Sequence, residues 1–138
     1  MPAYTGHISV NSKGKNDIID LTKDVNEIIT ESGVKNGIVT VFVPGSTASI
    51  TTIEYETGLK KDIPNFLEKI APYNDKYHHH ATWNDDNGSS HIQAAFLGPS
   101  CTIPLVNGAM TLGTWQQIVL IDSDTRSRKR ELVVQLVY

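Results

Sequence analysis

Apolar residues recur along this chain in two rhythms, and the changes between them mark the elements. Ile8 and Val10 alternate with polar neighbours, a period of two that predicts a strand over the first ten residues. Asn11, Ser12 and Gly14 predict a turn, and Asp17 to Leu21 reads as the hairpin partner. Thr22 or Asp24 then caps a short helix with Val25, Ile28 and Ile29 on one face, ended by Gly33. Gly37 opens G-I-V-T-V-F-V-P, a run dense in β-branched residues, and Thr47 to Tyr55 is a second such run. The short P-G-S-T link between them predicts two antiparallel neighbours.

From Gly58 to Ile70 the period changes. Leu59, Ile63, Phe66, Leu67 and Ile70 follow one another at helical steps, with Pro64 near the first turn, where proline is tolerated. Pro72 to Ser90 has no apolar period and reads as a polar loop. Ser89 or Ser90 caps a brief helix through Ile92, Ala95 and Phe96, stopped by Gly98-Pro99. Cys101 to Val106, Thr114 to Ile121 and Glu131 to Tyr138 close the chain as strands. The order β-β-α-β-β-α-α-β-β-β never alternates strand and helix regularly. It predicts an α+β fold with a mainly antiparallel sheet, packed helices on one side, and a single domain over residues 1–138.

Composition narrows the function classes. A net charge of −3 and a pI near 5.9 provide no field for a nucleic-acid backbone. The one basic run, Arg126 to Arg130, reads as a solvated strand face. Cys101 is the only cysteine, which removes disulfides within the chain and thiolate clusters; in S-C-T-I-P-L-V it reads as a small apolar filler. No signal-peptide pattern and no apolar run long enough for a bilayer occur, so a cytoplasmic protein with no membrane partner is expected.

The candidate chemistry sits in Tyr77 to His91, which holds four of the five histidines beside Asp85 and Asp86. Imidazole and carboxylate are the usual ligands of zinc and similar ions. On an extended segment His78 and His80 would converge and His79 would face away. Asp85, Asp86, Asn87 and Gly88 also make an ordinary turn, yet a turn there would carry His91 back toward the earlier imidazoles. Two histidines and one carboxylate, completed by water, then become reachable. Glu54 and Glu56 share a strand face, and either one is a candidate base or further ligand. Ser46 and Thr47 follow Pro44-Gly45, where free N–H groups suit an anion. Trp83 and Trp115 read as core or subunit-interface residues.

The run N-D-D-N-G-S-S-H-I-Q-A-A-F-L-G-P-S, followed by T-I-P-L-V-N-G and L-G-T-W-Q-Q-I, resembles the signature of the YjbQ-type family, also labelled secondary thiamine-phosphate synthase. The likeness extends from G-I-V-T-V-F-V-P-G-S-T-A-S-I-T-T-I-E to the closing R-x-L-V-V-Q strand. It implies a homotrimer with a polar site near subunit boundaries, often metal-occupied in related proteins. The matching positions are His79, His80, Asp85, Asp86, Asn87, Gly88 and His91, with Glu54 on the earlier strand and Gly113, Trp115 and Gln116 in the late motif.

On that resemblance, His79, His80, Asp85 and His91 are the expected ligands of a divalent metal, zinc first and magnesium second. Asp86, Glu54 and Asn87 are the expected catalytic residues. The implied reaction joins a pyrimidine diphosphate to a thiazole phosphate and releases pyrophosphate, so a small phosphorylated molecule is the expected partner. A metal-dependent hydrolase of another substrate, and a non-catalytic metal or small-ligand binding trimer, are the alternatives. Two departures stand out. Many relatives have histidine where this chain has Gly45, and many read D-N-G-H-S-H where Ser89 here replaces the middle imidazole.

Overall fold

The computed structural model describes residues 1–138 as two antiparallel sheets and four helices. The elements are β1 (Ala3–Ser12), β2 (Asp17–Asp20), α1 (Thr22–Ser32), β3 (Gly37–Phe42), β4 (Ala48–Ile53), α2 (Leu59–Ile70), α3 (His78–Trp83), α4 (Gly88–Leu97), β5 (Ser100–Val106), β6 (Ala109–Met110), β7 (Gln117–Asp122) and β8 (Arg128–Val137). The expected α+β order holds. Two short elements are added to it, the helix α3 inside the stretch read as polar loop and the two-residue strand β6.

The pairing differs from the hairpins the sequence suggested. β1 runs against β8, with Ile8 opposite Leu132, whereas β2 lies against β7, with Ile18 opposite Ile121. Likewise β3 sits between β5 and β8, and β4 pairs with the other side of β7. The result is a five-stranded sheet, β1-β8-β3-β5-β6, and a three-stranded sheet, β2-β7-β4. Each expected hairpin splits because its connection moves the chain from one sheet to the other, and burial rather than turn chemistry decides the partner.

The core explains the split. Val39, Val41, Ile103, Leu105, Leu132, Val134 and Leu136 line one face of the large sheet and pack on Ile50, Ile118 and Leu120 of the small one. Val25, Ile28 and Ile29 of α1 join that same cluster. The opposite face of the small sheet carries Ile18, Val119 and Ile121 against Leu67 of α2, with Ile63 and Leu97 at the margin. Buried on both faces, β7 is a continuous apolar run, I-V-L-I, instead of an alternating one. Leu120 and Ile121 are 0% and 1% exposed. α4 is tied to α2 by Gln93, whose amide donates to the carbonyl of Ala71 at 3.0 Å. No helix is long and apolar enough to cross a membrane.

Candidate functional site

Three local features bring the histidine-rich stretch to one place. His78 to Trp83 forms a helix, so the alternation expected of an extended segment does not apply. His78 is left exposed, and His79, which alternation would have turned away, packs toward Asn87 and His91. Asn84 adopts φ 51°, ψ 48°, a left-handed conformation that asparagine tolerates, and ends α3. The chain then reverses into α4, whose first residue is Gly88. A methyl group on Gly88 would lie 2.6 Å from Tyr77 Cβ and 3.1 Å from His80 Nε2, so only glycine allows this close approach.

The imidazoles take different parts. His80 Nε2 accepts a hydrogen bond from the backbone N–H of Gly88 at 3.0 Å, capping α4. Its lone pair is therefore engaged. His79 Nε2 lies 3.1 Å from Asn87 Oδ1; since that oxygen only accepts, Nε2 carries the proton and Nδ1 is the free nitrogen of the neutral ring. His79 and His91 face one another with ring centroids 4.4 Å apart. Burial, reinforced by the neighbouring His79, lowers the pKa of His91 below its usual 6.5, while Asp124 and Asp85 pull the other way.

The carboxylates face outward. Asp85 Oδ1 accepts the N–H of Asp86 at 2.8 Å, which with the Arg126 charge holds the Asp85 carboxyl below its ordinary value. Asp86 accepts from the Thr125 hydroxyl at 3.1 Å and lies 3.8 Å from Arg126. Glu54 follows the Ile53 end of β4, and the cleft beside His91 adjoins the Ala48 end. A strand of this length separates them by roughly 20 Å at about 3.3 Å per residue. Glu56 caps α2, accepting from the N–H groups of Gly58 and Leu59. Trp83 and Trp115 are each 72% exposed, so the core reading fails for both. Gly113 donates its N–H to Gln116 Oε1 at 3.1 Å, and Gln116 in turn holds the Thr52 hydroxyl; the late motif thus braces a loop beside β4.

His91 lines a cleft of about 350 Å³ together with Gly45, Ser46, Ala48, Ala94, Ala95 and Pro99. The N–H groups of Gly45, Ser46 and Thr47 make no hydrogen bond within the chain. A larger hollow, about 710 Å³, opens over α1 between Asp20, Glu27, Glu31 and Gln117. It is a wide, shallow depression without an imidazole, and it shares no residue with the cleft.

Beneath the cleft lies a network that the linear reading missed. Asp122, fully buried, accepts two hydrogen bonds from Arg130, Nε to Oδ2 at 2.7 Å and Nη2 to Oδ1 at 2.9 Å, and one from the Ser12 hydroxyl at 2.6 Å. Arg130 Nη2 also donates to Thr47 Oγ1, which donates to Asp124 Oδ2. Burial alone would raise the Asp124 pKa, but Thr47 and Arg128 outweigh it and hold the carboxyl low. The basic run is therefore no solvated strand face throughout: Arg130 turns inward because two buried carboxylates at alternate positions of the preceding strand end await it. The available signal was D-S-D followed by R-x-R, both with a period of two.

The four expected metal ligands do not converge. No group of three or more His, Cys, Asp or Glu side chains is placed to hold an ion. His79 and His91 provide two donors, short of the three or four that zinc takes from protein. The residues as arranged do not fit the expected four-ligand set, and no chemical step is assigned to a metal.

A family model described as "UPF0047 protein YjbQ-like" matches residues 6–138. A UPF0047 protein of Methanothermobacter thermautotrophicus is 38% identical over 130 residues, covering 94% of this chain and 90% of that one. Another, from Archaeoglobus fulgidus, is 35% identical over 87% of this chain and 91% of its own. Among solved structures, a YbjQ-like protein of unknown function from Sulfolobus solfataricus superposes with a TM-score of 0.92 at 33% identity, covering 98% of this chain and 96% of that chain. A hypothetical protein from Aeropyrum pernix gives 0.91 at 30%, with 97% and 98% covered. With sequence and fold agreeing over nearly its whole length, the chain belongs to the YjbQ-like UPF0047 family.

Proposed function

We propose that the cleft beside His91 takes a small phosphorylated molecule and that His91 serves as its acid–base group. One observation carries this reading: a partly buried imidazole with a lowered pKa faces a loop, Gly45 to Thr47, whose N–H groups have no partner in the chain. Free N–H groups at a turn suit phosphoryl oxygens, and an imidazole neutral at pH 7 can accept a proton. Asn87 holds the His79 ring beside His91 through its Oδ1, so Asn87 is a positioning residue here.

The coupling of a pyrimidine diphosphate to a thiazole phosphate belongs to this class of chemistry, and so does hydrolysis of a phosphoester. Asp86, exposed between Thr125 and Arg126, is the carboxylate assigned to manage a proton in that chemistry. Glu54 reaches a site only if a neighbouring copy of the chain brings it. The homotrimer has support in the apolar residues left bare on this chain, among them Ile38, Phe42, Val106, Phe96 and both tryptophans. Light scattering should give three times the 15.2 kDa chain mass.

Turnover of the paired pyrimidine and thiazole phosphates, and of a phosphoester panel, tests the reading. His91→Gln should abolish the activity and Asp86→Ala should reduce it, both with native circular dichroism. Saturable binding of the same compounds without turnover would leave a non-catalytic binding trimer. Absence of binding would end the proposal.

A divalent metal is a second reading, resting on the approach of His79 to His91. Two imidazoles favour zinc over magnesium, which prefers oxygen. Water or a neighbouring copy would have to complete the shell. An anomalous-scattering map from chelator-free crystals decides it: density beside His91 supports the ion, and density nowhere near the pair removes it.

A further inference from the structure

We infer that Arg130 is the residue that recognises the phosphoryl group in the cleft, presenting its Nη1 edge past Gly45. This rests on the reading of the cleft as a site for a small phosphorylated molecule, and it names the side chain that selects such a ligand.

A guanidinium has five N–H donors in a fixed fork. Three are used inside the chain: Nε to Asp122, and Nη2 to Asp122 and to Thr47. No group of the chain accepts from Nη1, although the Arg130 side chain is only 11% exposed. Nη1 itself is not sealed, since the buried side-chain atoms that lack a partner are the hydroxyl oxygens of Ser89 and Ser90. The small exposed part of Arg130 therefore includes the donor pair that the fold leaves unused.

Arg130 is not itself part of the cleft lining, but Nη1 stands directly against one of the lining residues, Gly45. A methyl group built on Gly45 would meet one heavy atom within contact range, Arg130 Nη1, at 3.2 Å. Gly45 lies on the cleft wall and has φ +109°, a conformation closed to most side chains. A ligand seated against Gly45 would therefore lie beside Nη1 as well as the unpartnered N–H groups of the same loop, with no side chain at residue 45 between them. On the far side Asp122 clamps the fork through two bonds and is itself fixed by Ser12. The clamp offsets much of the positive charge but leaves direction intact. Selection then comes from two aimed N–H groups, which match the several lone pairs of a phosphoryl group better than a lone carbonyl.

The test is a titration with inorganic phosphate, followed by NMR of the arginine side-chain nitrogens and of the histidine rings. In the wild type, Arg130 and His91 signals should move together and saturate. Arg130→Lys, which cannot hold Asp122 and reach the cleft at once, should weaken phosphate binding at least about tenfold, the loss expected for one charge-assisted hydrogen bond. Gly45→Ala should do the same with the Arg130–Asp122 pair in place, so the outcome does not depend on the lysine variant folding. If phosphate moves His91 while Arg130 stays still and both variants bind as wild type, the assignment to Arg130 is overturned and the cleft reading stands. If phosphate moves neither signal, both are overturned.

Discussion

The rings of His79 and His91 stand 4.4 Å apart and are tilted by 55°, although one lies on α3 and the other on α4. The nearness of His79 opposes protonation of His91, and the two rings have different hydrogen-bond settings. His79 is held by Asn87; His91 has no such partner and opens on the cleft.

The first consequence is a pH dependence. Folding lowers the His91 pKa below 6.5, through burial and then through His79. The unfolded chain therefore binds a proton that the folded chain refuses. The His91 contribution to stability is fully present above about pH 6.5 and is lost as pH falls through the folded-state pKa. In chelator-treated protein, the His91 ring should titrate below 6.5 by NMR, and His79→Ala should raise its midpoint. A wild-type midpoint at or above 6.5 would contradict the arrangement.

Gly88 tests the reversal between α3 and α4. A methyl group there meets Tyr77 at 2.6 Å and crowds the His80 nitrogen that accepts the Gly88 N–H. Gly88→Ala should destabilise the fold by about 1–3 kcal/mol, the usual cost of overpacking. The His80 ring signal should shift with it. Unchanged urea midpoints would mean that the two segments are not packed this tightly.

Asp122→Ala leaves a guanidinium buried without its carboxylate. The expected loss is about 3–5 kcal/mol, the range for breaking one side of a buried pair. Exposed pairs contribute far less, so Glu131→Ala, which removes the 3.7 Å contact with Lys129, should change stability by no more than about 1 kcal/mol. Equal effects of the two substitutions would refute the distinction.

Ser89 and Ser90 are fully buried, and neither hydroxyl has a partner. An unsatisfied buried hydroxyl costs about 1–3 kcal/mol. Replacement of either by alanine should therefore leave the ligand-free chain as stable or more stable, read as a thermal midpoint at or above wild type. A fall of several degrees would show that the hydroxyls are bonded after all.

Cys101 is half-buried on β5, and burial pushes its thiol pKa up to about 11. Little thiolate forms at neutral pH, so a disulfide-exchange reagent should label it slowly in native protein and quickly in urea. Equal rates in the two states would sink this assignment.

Local pattern made most of the elements legible. The step of three and four in α2 and the β-branched run of β3 both predicted their elements, because each reflects one face meeting a core. The apolar run of β7 was visible too, although its boundaries shifted toward Asp122. Harder to read was Tyr77 to Trp83, where a six-residue helix without a buried side chain leaves no apolar period. In the site, Asn87, Gly88 and His91 stood out by type and proximity. Asp122, Asp124 and Arg130 did not, because they lie at the end of β7, in the loop after it and on β8 of the other sheet, and resemble ordinary turn and surface residues.

Residue type and short-range order, by themselves, determined that this chain forms mixed strands and helices, that it carries an imidazole-rich segment, and which family signature it bears. Tertiary structure alone decided the strand partners, since β1 seeks β8 and β2 seeks β7 through burial at long range and not through their connecting turn. It also decided which upstream histidine meets His91, because α3 replaced extended alternation and brought the His79 ring to within 4.4 Å of it. Finally, it set Arg130 beneath Gly45: the attraction between a guanidinium and a buried carboxylate acts through space, and no spacing along the chain records it.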